Sequence, residues 1–438
     1  MRIILTGAFL LSAFLSFSQD QLSLSDAIQL GLRNNFQIQI AEKTAIMSEK
    51  NNTWGEAGML PTINLNVSQG NTINDQSKNP TAFIQGKLLS NSLQYGADLN
   101  WTLFNGFRAK ITKDQLAMLV DQSQGNAALT VENSVHSIVL GYYNVLLLRE
   151  RLNVLEVVKN LSRDRYAYEQ EKKQLGVVSS LDIIQFETQF ISDSINYLNE
   201  ELAFKNSCRN LNMLMSVDVE REYAYTGQLK PSPLTYNYQV MEEKMLSNNQ
   251  TLKNQFVNLE LQQKKTGLAR SALYPVLSFN IGGNQSANRF EVSSLGLSGN
   301  GGALTYYANF SLNYTLFNGG KRRRAIDNSK MLEEIELLKT EEIQLSLNNQ
   351  LKTQFELYGA RYKILVLLEE NKNNAKESYS IGQERFKIGS INSFNLRDLE
   401  IAFRNLELQT LQAVFNLVET NTDLLRLTGG IVDVYDVN

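Results

Sequence analysis

The chain has 438 residues, 43% of them hydrophobic and 20% charged, with a formal net charge of −3. A balance so close to neutral gives no electrostatic footprint for nucleic acid. Cys208 is the one cysteine and His136 the one histidine, which excludes an internal disulfide and leaves no cluster for zinc. Only 5 prolines and 26 glycines are present, a composition that favours long regular elements over many loops.

The N-terminus reads as a targeting segment. Arg2 supplies a positive start, Ile3 to Phe17 is an apolar run, and Ser16-Phe17-Ser18 offers small residues for cleavage, so residues 1–18 are expected to be a signal peptide. No later segment reaches the roughly 18 to 20 uninterrupted apolar residues of a membrane helix. A chain exported in this way is soluble or crosses a membrane as a β-barrel.

Residues 24–59 read as helix, opened by Ser25-Asp26-Ala27 and stopped by Pro61. From there the period switches to two. Ile63, Leu65 and Val67 alternate with Asn64, Asn66 and Ser68, which predicts a strand over about 62–70. Residues 70–92 are rich in Asn, Ser, Gln and Gly and read as a loop. A second strand is predicted over about 93–104, with Tyr95, Ala97, Leu99, Trp101 and Leu103 on one face. A long helix then covers 107–175; at 1.5 Å per residue it would reach on the order of 100 Å, a length that needs partner helices throughout. Gly176 is a natural helix stop and Ser179 a natural start, so 176–179 is a tight tip before a helix over 180–215. Along that helix Leu181, Ile184, Ile191, Ile195, Leu198 and Leu202 form an apolar stripe.

Residues 216–238, with Pro231 and Pro233, read as a connector. The plan of 19–215 then repeats over 239–428. A helix from about 238 runs to Pro275, strands follow over about 275–284 and 304–317 with a loop at 283–302 between them, and a long helix covers 321–388. A tip at 389–392 and a helix over 393–428, with a stripe at Leu408, Leu411, Phe415 and Val418, complete it before a tail at 429–438. Leu103-Phe104-Asn105-Gly106 recurs as Leu316-Phe317-Asn318-Gly319, an offset of 213 residues. Tyr166 and Tyr379, Gly176 and Gly389, Glu187 and Glu400, and Phe190 and Phe403 stand at the same offset, so the chain is a tandem duplication.

Each predicted strand has one apolar face and one face of small uncharged polar residues. That pattern suits a lipid-facing surface and a wet lumen better than a soluble sheet, whose polar face is usually richer in Lys and Glu. Trp101, Phe104, Tyr274, Phe317, Tyr95 and Tyr306 read as strand-end aromatics of a membrane girdle. Four strands are too few to close a membrane barrel, so such a chain must oligomerise. Neither a nucleophile–base pair, nor a Gly-rich phosphate loop, nor a metal constellation is present, and no catalytic residue or cofactor is expected. His136 reads as a packed or lumen-facing histidine. Lys321-Arg322-Arg323-Arg324, just past the second strand pair, suits phosphate headgroups or solvent.

The doubled Leu-Phe-Asn-Gly junctions, the doubled Leu/Ile-Gly tips and the repeated helix-strand-strand-helix-helix order make the mature chain resemble the TolC family of outer-membrane efflux channels. The resemblance implies a mixed α and membrane β fold in which long α-helical hairpins and β-hairpins repeat in tandem. Three chains share a 12-stranded β-barrel, continued by a periplasmic α-helical barrel. It implies the outer-membrane exit duct of a tripartite efflux or type I secretion system, extending into the periplasm. The expected partners are two further copies, a periplasmic membrane-fusion adaptor, an inner-membrane pump of RND, ABC or MFS type, and outer-membrane lipid, with no nucleic acid. By the same resemblance Leu175, Gly176, Val177 and Ser179 belong to one adaptor-docking tip, and Ile388, Gly389 and Ser390 to the other. The family's acidic channel constriction falls on Asn395 and Asp398, of which only the second is acidic here. The competing reading is a secreted or surface coiled-coil rod without channel activity.

Overall fold

The strand-to-helix junctions show how local chemistry sets the plan. In a computed structural model of the chain, describing residues 20–83, 86–175, 179–230, 234–292 and 296–435, Gly106 and Gly319 take φ of +67° and +66°. The preceding Asn in each motif caps the next helix: the Asn105 Oδ1 accepts from the Ala109 N–H at 3.2 Å, and the Asn318 Oδ1 from the Arg322 N–H at 3.5 Å. The recurring Asn-Gly is therefore turn chemistry, a left-handed residue beside a cap.

In chain order the elements are β1 (Asp20–Leu22), α1 (Leu24–Asn34), α2 (Phe36–Asn51), β2 (Thr62–Asp75), β3 (Lys87–Phe104), α3 (Arg108–Gln174), α4 (Ser180–Leu214), β4 (Tyr223–Tyr225), α5 (Tyr238–Asn248), α6 (Gln250–Ser271), β5 (Val276–Val292), β6 (Leu297–Asn313), α7 (Lys321–Lys387), α8 (Ser393–Leu427) and α9 (Ile431–Tyr435). Each predicted entry helix is in fact two helices. The breaks fall at Asn35 and Asn249, again about one repeat apart. The Asn35 Nδ2 donates to the Leu214 carbonyl at 2.9 Å, and the Asn249 Nδ2 to the Leu427 carbonyl at 3.0 Å. Two Asn residues that interrupt helices make the same bond to the end of the same later helix in each copy.

The chain divides into two compact units. The first comprises Met1–Ile40, Leu129–Asn249 and Ser346–Asn438. Its core gathers Leu22, Ile28, Val135, Ile138, Tyr142, Leu146, Leu211, Met215 and Ile431. Burial of each large apolar side chain contributes about 1.5–3 kcal/mol. β1 pairs in parallel with β4, inside the stretch expected to be a connector. The buried Tyr142 hydroxyl donates to the Leu22 carbonyl at 3.0 Å and accepts from the Gly227 N–H at 3.0 Å, so its polar tip is satisfied. The residues expected to be a tail include α9, whose Ile431 is fully buried. The signal-peptide expectation lies outside the described residues.

The second unit comprises Ala41–Ala128 and Gln250–Leu345 and holds a four-stranded antiparallel sheet of order β2-β3-β5-β6. Its strands have 14, 18, 17 and 17 residues, running through most of the stretches expected to be loops at 70–92 and 283–302. There, ladder pairing overrides the turn propensity of Asn, Ser and Gly. Tyr95 and Tyr306 consequently lie mid-strand, opposite Gln285 and Gly283, and not at strand ends. Phe104 and Tyr274 do sit at the sheet-to-helix junction, where they pack edge-to-face with each other and with Phe107 at centroid distances of 5.4–6.4 Å.

Candidate functional site: the polar sheet face and the hairpin tips

The first candidate surface is the sheet. The register places Asn64, Asn66, Asp98, Asn100, Asn280 and Asn309 on one face. Ile63, Leu65, Val67, Phe310 and Leu312 lie on the other, and all five are strongly exposed, Ile63 to 74% and Leu65 to 79%. The alternation predicted from the sequence is thus a physical two-sidedness, with the apolar side uncovered in one chain. β2 and β6 are the sheet's edges.

The second surface lies in the other unit, at the ends of two helical hairpins. Ile388-Gly389-Ser390 closes α7 as a Schellman turn: the Ser390 N–H donates to the Arg385 carbonyl at 2.8 Å, the Gly389 N–H to Phe386 at 3.0 Å, and Gly389 has φ of +74°. Asn392 then caps α8 by accepting from the Asn395 N–H at 2.9 Å. At the other tip the Ser179 Oγ accepts from the Asp182 N–H at 3.2 Å and donates to the Asp182 carboxylate at 2.8 Å. Leu175 and Ile388 project their apolar side chains at 79% and 80% exposure, with Ser179 and Ser390 exposed beside them. Gly176 and Val177 lie outside the described residues. Asn395 and Asp398 are both exposed and line, with Arg385 and Gly382, a groove of about 390 Å³ between α7 and α8.

Behind the tips lies a feature that sequence reading missed. The Arg397 guanidinium donates to both Asp193 oxygens at 2.9 and 2.7 Å, and to Glu400 at 3.2 Å. Glu400 also accepts from Arg165 at 2.9 Å. Arg397, Asp193 and Glu400 are all buried, Glu400 completely. The network joins α3, α4 and α8. Ring pairs flank it: Tyr166 stacks on Phe190 at 6.4 Å and Tyr379 on Phe403 at 6.1 Å, the repeat-related residues forming the same pair in each hairpin. Phe186 of α4 stacks on Phe394 of α8 at 5.4 Å. Burial, and next the Glu400 charge, push the Tyr379 phenol above its ordinary range. Glu187, the repeat partner of Glu400, is exposed, so the duplication's symmetry is broken here. His136 contacts Asp423 at 2.8 Å, bridging α3 and α8.

Residues 242–430 match the family model described as outer membrane efflux protein. The match covers the second repeat and less than half of the chain. Solved structures agree on the fold along nearly the whole chain. The CmeC outer membrane channel of Campylobacter jejuni is 15% identical and superposes with a TM-score of 0.77 over 93% of this chain and 85% of that one. The Neisseria gonorrhoeae MtrE outer membrane channel, in its open state, gives 17% identity and 0.73 over 93% and 89%. VceC, an outer membrane protein of Vibrio cholerae, gives 12% and 0.69 over 93% and 96%. A comparison with curated proteins gives no match. No helix among the chain's described residues is long and apolar enough to cross a membrane.

Proposed function

We propose that the chain is an outer membrane efflux channel, three copies of which close a shared 12-stranded barrel and act as the passive exit duct of a tripartite efflux or type I secretion system. One observation carries the reading: a four-stranded sheet has an exposed apolar face and two open edges. Open strand edges and unpaired backbone groups are not tolerated in lipid, and about eight strands are the least that close a barrel. The strands of further copies would satisfy β2 and β6, and lipid would cover Ile63, Leu65, Val67, Phe310 and Leu312. The stripe on α4 supports the same assembly. Leu181, Ile184, Ile191, Ile195, Leu198 and Leu202 are all between 51% and 64% exposed, at coiled-coil spacing, and await another helix.

In this reading residues 1–18 direct export and are removed. Solutes enter at the tips from an inner-membrane pump and leave through the barrel; the chain supplies a path and no chemistry. The tips at Leu175–Ser179 and Ile388–Ser390 dock a periplasmic adaptor, with exposed Leu175 and Ile388 as apolar anchors. Asn395 and Asp398 face the narrow end of the path, and one carboxylate per chain there makes a weaker ring than two would.

Fractionation tests the reading. The duct stays with outer membranes through washing in concentrated urea, and removing it from the cell traps the pump's substrate inside. Release into the wash would favour a peripheral rod and overturn the duct.

A further inference from the structure

The sheet's polar face carries a single charged side chain. Following the register across β2, β3, β5 and β6, that face presents Asn, Ser, Thr, Gln and Gly, with Leu, Val and Phe toward the strand ends and Tyr307 near the middle. Asp75, Lys87, Arg289 and Glu291 all fall on the opposite face, toward the hairpin ends. Asp98 is the exception, near the middle of the polar face.

Its surroundings solvate the charge without cancelling it. The Asn64 Nδ2 donates to Asp98 Oδ2 at 3.2 Å and the Asn66 Nδ2 to Oδ1 at 2.5 Å; Asn100 donates to the same carboxylate and accepts in turn from Asn280. These donors are neutral amides, so a full negative charge stays on the face. Asp98 is half-buried and pairs with Gly282, which makes room for Tyr307 beside it: an added Cβ would meet the Tyr307 hydroxyl at 2.6 Å and the Ala97 carbonyl at 2.7 Å. A notch of about 180 Å³ opens beside the carboxylate, lined by the polar groups of Asn66, Ser68, Gln94, Asn284 and Tyr307. Its oxygen-rich lining suits a hydrated cation.

We propose that Asp98 is a specificity-determining residue: it biases the barrel toward cations and cationic solutes. The inference rests on the duct reading, in which three copies bring three carboxylates to one level of a water-filled pore. Fixed charge of one sign in a low-dielectric wall concentrates counter-ions, and it does so over about 10 Å at 0.1 M salt.

The test is the reversal potential of the purified full-length protein in a planar bilayer under a KCl gradient, for wild type, Asp98→Asn, Asp98→Ser and Asp98→Glu. Asn preserves the shape and can join the amide lattice; Ser serves if Asn impairs assembly. The expected result is a fall of about two- to threefold in the cation-to-anion permeability ratio for Asn or Ser, with wild-type selectivity retained by Glu. Full conductance with unchanged selectivity in the Asn and Ser variants would overturn the role of Asp98 and leave the duct standing. Absence of any wild-type conductance would overturn the duct reading and this inference with it.

Discussion

Replacing Arg397 by Met tests whether the buried network holds the hairpins together. Arg397 makes three of the network's four ion-pair hydrogen bonds, two to Asp193 and one to Glu400. Its side chain and that of Asp193 are each only 8% exposed, and Glu400 is fully buried. Methionine of similar length removes the cation and leaves Asp193 facing a stranded site. Breaking a buried pair in this way costs about 3–5 kcal/mol, far more than the ~0–1 kcal/mol of a surface pair. Removing the second charge as well, in Arg397→Met/Asp193→Leu, is expected to recover most of the loss, because an apolar pair of similar volume needs no desolvation. The assay is a double-mutant cycle by denaturant unfolding in detergent, read in parallel by trypsin cleavage beside Arg385 and Lys387. The single variant is expected to open the tips to cleavage before the rest of the chain unfolds. A single-variant cost under about 1 kcal/mol, or a double variant no better than the single, would refute the coupling.

Gly106→Ala would place a Cβ 2.3 Å from the Ser271 carbonyl, at a φ of +67°; backbone strain alone costs about 1–2 kcal/mol, and the clash adds to it, so assembled protein in the membrane should fall sharply. Gly389→Ala has the same strain with open space around the new methyl, so it should cost only the ~1–2 kcal/mol of conformation, seen as a lower unfolding midpoint. Burial pushes the Cys208 thiol up, so iodoacetamide at mildly alkaline pH should label it slowly in the native protein and rapidly after unfolding; equal rates would contradict its packing. Leu175→Asp with Ile388→Asp should abolish efflux while leaving conductance and membrane insertion intact, since both side chains are exposed and contribute little to the fold.

Local rules made part of this structure legible. The Leu-Phe-Asn-Gly junctions combine a left-handed glycine with an Asn cap, chemistry that any strand-to-helix turn of this kind needs, so two copies marked the duplication. Ser179 was readable as a cap for the same reason. Strand length was not readable, because Asn, Ser and Gly between 70 and 92 have turn propensity on their own and become strand only through pairing with a neighbour. The apolar stripe on α4 was found, but not that it faces outward. On α8 the buried face follows Leu396, Glu400, Phe403, Thr410, Val414 and Leu417, displaced from the half-buried stripe at Leu408, Leu411, Phe415 and Val418. Both faces of that helix are partly apolar, and periodicity alone does not rank them. The buried network was hidden because its members lie up to 235 residues apart and each resembles an ordinary solvated helix charge. A trace was available in Glu400, a charge at a core-spaced position beside Phe403.

The most direct test of the account is the mass of the complex extracted in detergent from outer membranes and weighed by native mass spectrometry. A complex three times the mass of the mature chain, stable without cross-linking, is the predicted result. A monomer would contradict the shared barrel, because four strands with two open edges cannot seal against lipid.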